Sequence, residues 1–130
     1  MNTLSPSEEQ VMAALWACNK PATRRELTQN LPRGCAWAGT TLLAFLQRLE
    51  NKGFVKVEKQ GNKNLYRPLV RQITYCGATS AQHLQTLYGG DLRKMLAALA
   101  DTGRVSYAEM EHLARWLDTR VAESPEYDYD

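Results

Sequence analysis

The 130-residue sequence predicts a mainly α fold of the α+β type, with three helices and a β-hairpin first and only helices afterwards. Three observations predict this order. Apolar residues recur at helical spacings of three and four between Leu42 and Leu49. That stretch ends at Lys52-Gly53, a cation followed by a glycine, which is typical of a helix C-terminus. Two β-prone runs then flank Gly61-Asn62, a dipeptide typical of hairpin turns.

Two capping boxes predict the first two helices. Ser5-Pro6-Ser7-Glu8 combines such a box with proline at the first helical position, and the apolar stripe after it predicts a helix ending near Asn19. Thr23-Arg24-Arg25-Glu26 repeats the pattern beyond a proline and predicts a short helix to about Asn30.

The third helix, about residues 38–51, and the hairpin after it complete a winged helix-turn-helix pattern. The hairpin turn has Lys59 on one side and Lys63 on the other. Helix, helix, helix, strand, strand is an order of elements with which winged-helix domains read DNA. We therefore expect residues 1–71 to form a winged-helix DNA-binding domain.

The rest of the chain is helical by pattern. Gly89-Gly90 and Thr102-Gly103 separate three apolar stripes, and Ser106-Tyr107-Ala108-Glu109 is a third capping box. We expect a helical dimerisation region over residues 72–123 and an acidic flexible tail over 124–130.

About 50 helical residues make a poor closed core, because so small a domain buries too little surface. A homodimer is the simplest remedy, and it would place two basic modules about a two-fold axis. The alternative is that these helices pack on the first domain. The candidate dimerisation residues are Leu84, Leu87, Leu92, Met95, Leu96, Leu99, Met110, Leu113 and Leu117.

Charge divides unevenly along the chain. Residues 1–71 hold 11 Lys and Arg against 5 Asp and Glu, a balance of +6, whereas residues 72–130 hold 5 against 9, a balance of −4. Such asymmetry suits a nucleic-acid-facing module joined to one that avoids the polyanion. A solvated lysine face is the alternative, but the basic half is also the half with the hairpin.

Other function classes find little support. No apolar run is long enough to span a membrane and no secretory signal is present, so we expect a cytoplasmic protein. Cys18, Cys35 and Cys76 form no CxxC pair, which argues against disulfides and zinc and predicts reduced, partly buried thiols. His83 and His112 lack partners at metal-ligand or catalytic spacing. We expect no enzyme activity, no cofactor, no metal and no small-molecule ligand.

The third helix is expected to enter the major groove of double-stranded DNA. Its candidate contacts are Thr40, Thr41, Leu43, Ala44, Gln47 and Arg48. Thr41 and Arg48 are the strongest candidates, because a guanidinium can bind guanine or phosphate in a bidentate manner. Arg48 could instead pair with Glu26 or Glu50.

Residues outside the third helix are expected to bind phosphates, which gives affinity and register without sequence information. Two arginines in the first turn of the second helix and four residues around the hairpin tip qualify. These residues are Arg24, Arg25, Lys59, Asn62, Lys63 and Asn64.

An ordered set of segments along nearly the whole chain is similar to one protein family. The segments are residues 4–12, Leu15-Trp16, Trp37, Thr41, Leu46, Arg48-Leu49, Lys52-Gly53, residues 66–70, residues 87–92 and residues 96–99. On these segments the chain resembles the penicillinase repressor family, the BlaI/MecI type, which also includes copper-responsive repressors. The resemblance implies a homodimeric winged-helix repressor that occupies a pseudo-palindromic operator and leaves it on an inducing signal.

This sequence departs from the family pattern at the groove-facing surface. The family has Ser-Pro-Lys-Thr after Trp37, whereas this chain has Ala38-Gly39-Thr40-Thr41 and then Leu43 and Ala44, which can pack on a thymine methyl but cannot hydrogen-bond. Residues 97–102 lack the Asn-Phe step that is cleaved in inducible members, and the tail lacks the copper-binding cysteines. The alternative function is a winged-helix protein–protein interaction module with weak or lost DNA binding.

Overall fold

The computed structural model describes residues 3–32, 37 and 39–123. Over these residues it contains six helices and two strands. In chain order they are α1 (Pro6–Cys18), α2 (Arg24–Asn30), α3 (Gly39–Asn51), β1 (Val55–Gln60), β2 (Lys63–Pro68), α4 (Gln72–Tyr88), α5 (Leu92–Asp101) and α6 (Tyr107–Glu123). The predicted mainly α, winged helix-turn-helix fold is confirmed.

The chain divides into two compact units, Met1–Ala78 and Thr79–Asp130, and the division falls within α4. None of the described helices is both long and apolar enough to cross a membrane. Cys18 is half-buried but Cys76 is exposed, so the expectation of a partly buried thiol is wrong for Cys76. Cys35 lies outside the described residues.

The two capping boxes predicted for α1 and α2 are present as hydrogen bonds in the structure. The Ser5 hydroxyl accepts from the backbone N–H of Glu8 at 3.2 Å, and the Glu8 carboxylate accepts from the backbone N–H of Ser5 at 2.8 Å. Thr23 and Glu26 form the same reciprocal pair at the start of α2. Each pair satisfies two backbone donors that a helix start leaves without a partner, which is why both helices begin where predicted.

The core of the first unit joins α1, α2, α3, both strands and the start of α4. One face of α3 is buried through Leu42, Leu46 and Leu49, and each buried leucine stabilises the fold by about 1.5–3 kcal/mol over an exposed one. The other apolar residues found buried in the described part of this unit are Leu4, Val11, Met12, Ala14, Leu15, Ala22, Leu27, Phe54, Val55, Tyr66 and Tyr75. This packing fixes α3 with its opposite face in solvent.

The hairpin formed by β1 and β2, called the wing below, is antiparallel and pairs Val57 with Tyr66 in the middle. A single-residue bridge ties it to the α1–α2 connection. The Ala22 N–H donates to the Tyr66 carbonyl at 3.0 Å, and the Tyr66 N–H donates to the Ala22 carbonyl at 2.8 Å. The base of the wing is therefore held against the helices while its tip projects.

The first turns of α4 pack on the first unit through Tyr75, which is buried. Its ring meets Phe54 edge-on at 5.5 Å between centroids and lies 6.0 Å from Trp16. Its hydroxyl donates to the Glu9 carboxylate at 2.7 Å. The Trp16 indole N–H donates to the Val70 carbonyl at 2.9 Å, so the chain leaving the wing is also held.

The second unit has no buried side chain among its described residues. Large apolar groups are exposed on all three of its helices. They include Leu87, Leu92, Tyr107, Met110, Trp116, Leu117 and Val121. Over residues 79–123, a single copy of this unit thus does not enclose a core.

Candidate nucleic-acid interface

One face of α3 is open to solvent along its length. The exposed residues recur at steps of three and four, because they share a face opposite the buried leucines. They are Thr40, Leu43, Ala44, Gln47 and Arg48. Thr41 is half-buried and lies between the two faces. Five of the six residues predicted on this helix therefore share its exposed face.

A concave groove of about 590 Å³ lies between α2, the start of α3 and the tip of the wing; we call it the cationic groove. It brings together six of the predicted residues. They are Arg24 and Arg25 from α2, Leu43 from α3, and Asn62, Lys63 and Asn64 from the wing tip. Thr40, Thr41, Ala44, Gln47, Arg48 and Lys59 do not line it.

The Arg24 side chain reaches the start of α3. A Cβ placed on Gly39 would lie 3.9 Å from the Arg24 guanidinium nitrogen Nη1, which is an ordinary van der Waals distance. The guanidinium is thus beside the first turn of α3 rather than extended into solvent away from it. It adds a positive charge next to the face that carries Leu43.

The carboxylate of the wing, Glu58, does not line the groove and is paired with other wing residues. Glu58 pairs with Arg67 at 3.3 Å and with Lys56 at 3.8 Å. Across the residues that the structure describes, Arg24, Arg25, Lys59 and Lys63 form no ion pair with a carboxylate. These four cations are therefore available to an anionic ligand.

Arg48 lies beside Phe45, with its guanidinium carbon 5.5 Å from the ring centroid. Phe45 in turn packs against Trp37 at 4.9 Å between centroids. Glu26 pairs with Lys20 at 3.2 Å, and no ion pair joins Arg48 to a carboxylate within the described ranges. The stacking orients the Arg48 side chain on the exposed face and leaves its donors accessible.

An ion pair between half-buried Lys52 and the buried carboxylate of Glu8, which the sequence did not reveal, positions α3. Lys52 follows the C-terminus of α3, and its ammonium group donates to the Glu8 carboxylate at 2.7 Å and to the Thr3 carbonyl at 2.9 Å. Burial alone raises the pKa of Glu8, but hydrogen bonds from Lys52 and Ser5 outweigh burial and hold that pKa below its usual value. The pair fixes the end of α3 to the start of α1.

Comparison with known proteins gives one family and several relatives. Residues 4–119 match the family model described as penicillinase repressor. An uncharacterized 16.5 kDa protein of Latilactobacillus sakei is 29% identical over 125 residues, which are 96% of this chain and 85% of that protein. The methicillin resistance regulatory protein MecI of Staphylococcus aureus is 23% identical over 117 residues, which are 90% of this chain and 94% of that protein.

A solved structure is also similar. It is the solution structure of Bacillus licheniformis BlaI in its monomeric form in complex with the blaP half-operator. The two chains are 26% identical, and the match covers 57% of this chain and 89% of that one with a TM-score of 0.48.

Proposed function

This chain belongs to the penicillinase repressor family, and from that membership we propose that it is a homodimer that represses transcription by occupying a pseudo-palindromic DNA operator. The family is one of DNA-binding transcriptional repressors, so the chain is a DNA-binding repressor and not an enzyme. Dimerisation, the operator and the residue roles below are our proposal. The proposal also gives this protein two partners, double-stranded DNA and a second copy of the chain, and a cytoplasmic location.

One observation supports the DNA-binding surface most strongly: the exposed face of α3 adjoins the cationic groove. We assign the exposed residues of α3, with half-buried Thr41, to base edges and flanking phosphates in the major groove. Arg24, Arg25 and the wing residues Lys59, Asn62, Lys63 and Asn64 bind phosphates. Arg48 reads a base, because its side chain is oriented by Phe45 and forms no ion pair within the described residues.

The second unit supports the dimer. Its described side chains are all at least partly exposed, and leaving that much apolar surface in water is unfavourable for a lone chain. A second copy of the chain would cover this apolar surface. The two-fold axis of the resulting dimer would give the two winged-helix domains the symmetry of a palindromic site. We assign residues 72–123 to a helical dimerisation region. We assign residues 124–130, which lie outside the described residues, to an acidic tail.

Selection of bound sequences from a random pool of duplex DNA tests the proposal. We expect the full chain to enrich an inverted repeat whose two half-sites are centred about one helical turn, or a multiple of it, apart. Light scattering on the same preparation should give twice the chain mass. Enrichment of an unrepeated site, or no retention of any duplex in low salt, contradicts the proposal.

The exposure of Leu43 and Ala44 favours a second candidate function, that of a winged-helix module that binds another protein and has weak or lost DNA binding. Arg24, Arg25, Lys59 and Lys63, which form no ion pair within the described residues, favour DNA instead. Binding to random DNA at low salt separates the two, because electrostatic binding to phosphates requires no particular sequence. A protein-binding module would show no affinity there.

A further inference from the structure

The exposed face of α3 is apolar in its middle. Leu43 is 37% exposed, Ala44 beside it is exposed as well, and the polar pair Gln47 and Arg48 follows one turn later. Leu43 also forms part of the wall of the cationic groove, together with Arg24, Arg25 and Lys63. A ligand that fits here must therefore offer negative charges and, between them, an apolar group.

Duplex DNA meets this requirement in one way. The phosphates supply the charge, and the 5-methyl of thymine is the apolar group that an unmodified base pair presents in the major groove. We propose that Leu43 and Ala44 read thymine methyl groups, so that each half-site carries thymine opposite the middle of α3. This inference rests on the proposed function and adds a specificity that polar contacts alone do not provide.

The positions of the polar residues locate the thymine. One helical turn separates Leu43 from Gln47 and Ala44 from Arg48, and a turn rises about 5.4 Å. Neighbouring base pairs are about 3.4 Å apart. The thymine read by Leu43 and Ala44 therefore stands one or two base pairs from the base that Gln47 and Arg48 contact.

Replacement of thymine by deoxyuridine tests the inference, because uracil keeps the pairing and the O4 acceptor and loses only the methyl. The probe is a duplex enriched from the random pool by the full chain, with thymines replaced one at a time. We expect roughly four-fold weaker binding at one or two positions per half-site, the loss of about one buried methyl contact. Replacements elsewhere should leave the affinity unchanged.

Protein variants link the effect to the residue. Leu43→Ser should lose the discrimination between thymine and deoxyuridine at the position that Leu43 reads, and it should keep any discrimination at a position that Ala44 reads. The matched control is Leu69→Ser, because Leu69 is 54% exposed and lies outside the cationic groove. Leu69→Ser should keep the full discrimination. Far-UV circular dichroism of both variants should match that of the unaltered chain.

Three results would overturn the inference while the proposed function stands. In the first, the selected half-sites contain no thymine near the bases that α3 contacts. In the second, no deoxyuridine replacement changes the affinity. In the third, Leu43→Ser discriminates between thymine and deoxyuridine as strongly as the unaltered chain does. Failure to retain any duplex in low salt would instead remove the proposed function and this inference together.

Discussion

Lys63 lies exposed at the tip of the wing without a carboxylate partner in the described part of the chain. If it binds a phosphate, Lys63→Ala should weaken binding to all DNA sequences alike. The slope of log affinity against log salt should become less steep by about one unit, since one fewer counterion is released. Fluorescence anisotropy over a salt series measures both effects.

Lys94→Ala is the matched control for Lys63→Ala, because Lys94 is an exposed lysine on α5 in the second unit. It should leave the salt slope unchanged. An equal slope for Lys63→Ala and the unaltered chain would remove the wing tip from the contact surface.

The Glu8–Lys52 pair predicts a pH dependence of stability. Lys52→Met leaves a buried carboxylate without its cation and should lower the free energy of unfolding by about 1–3 kcal/mol at pH 7. The folded-state pKa of Glu8 is lowered, so the pair contributes above the unfolded pKa and its contribution is lost as the pH falls through the folded pKa.

Urea unfolding between pH 7 and pH 3 measures this difference. The gap between Lys52→Met and the unaltered chain should narrow with acidification, because protonated Glu8 no longer needs a cation. Lys56→Met is the control, since Lys56 is exposed and pairs only distantly with Glu58. A gap that stays constant with pH would mean that Lys52 stabilises the fold through packing and its hydrogen bond to the Thr3 carbonyl, and not through its pairing with the Glu8 carboxylate.

At the residue scale, the sequence predicted which elements carry the candidate contact residues, but it did not predict the interactions that hold those elements in place. The positions of Arg24 at the start of α2 and of Lys63 beside the wing turn could be predicted because caps and hairpin turns are local patterns. The Glu8–Lys52 pair could not, because 44 residues separate its members and only the packing of α1 on α3 brings them together. The intermediate burial of Thr41 likewise depends on how α3 is rotated against the core, which helical spacing does not determine within one residue.

At the element scale, two glycines predict opposite effects of the same substitution. Gly61 has a φ of +64° in the wing turn, so Gly61→Ala should destabilise the protein by about 1 kcal/mol. Gly77 lies inside α4, and nothing stands within 4 Å of the position that an alanine methyl would take, so Gly77→Ala should stabilise the protein by about 0.5–1 kcal/mol. Thermal unfolding followed by circular dichroism compares the two directly, and equal signs would contradict the wing turn or the continuity of α4.

The helices and strands were predictable because their ends carry local signals. Capping boxes, Lys52-Gly53 and Gly61-Asn62 each specify a boundary within a few residues. The bridge between Ala22 and Tyr66 was not predictable, because a single pairing residue has no period. The burial of Tyr75 was missed for a related reason, since it is the only described residue of α4 that packs into a core.

At the scale of the whole molecule, we expect substitutions in the second unit that prevent dimerisation to weaken DNA binding as well. Leu96 on α5 and Leu113 on α6 are half-buried, and Leu96→Asp or Leu113→Asp would place a charge in the proposed dimer interface. Each variant should be monomeric and bind the operator far more weakly. Leu69→Asp, on the exposed surface of the first unit, is the control for an added charge.

Sedimentation velocity and anisotropy on the same samples measure the two properties. A monomeric variant that binds an inverted repeat as tightly as the unaltered chain would refute the dimer proposal. A variant that remains dimeric would exclude the substituted leucine from the interface.

The lack of a buried side chain in the described part of the second unit also bears on how long a chain survives. Helices without a core open at little cost in free energy, and proteases cut such segments readily. A newly made chain that has not yet met its counterpart is thus exposed to degradation, whereas a paired one is shielded. We expect proteolysis to remove chains that have not dimerised. The protein that remains in the cell should therefore be almost entirely dimeric.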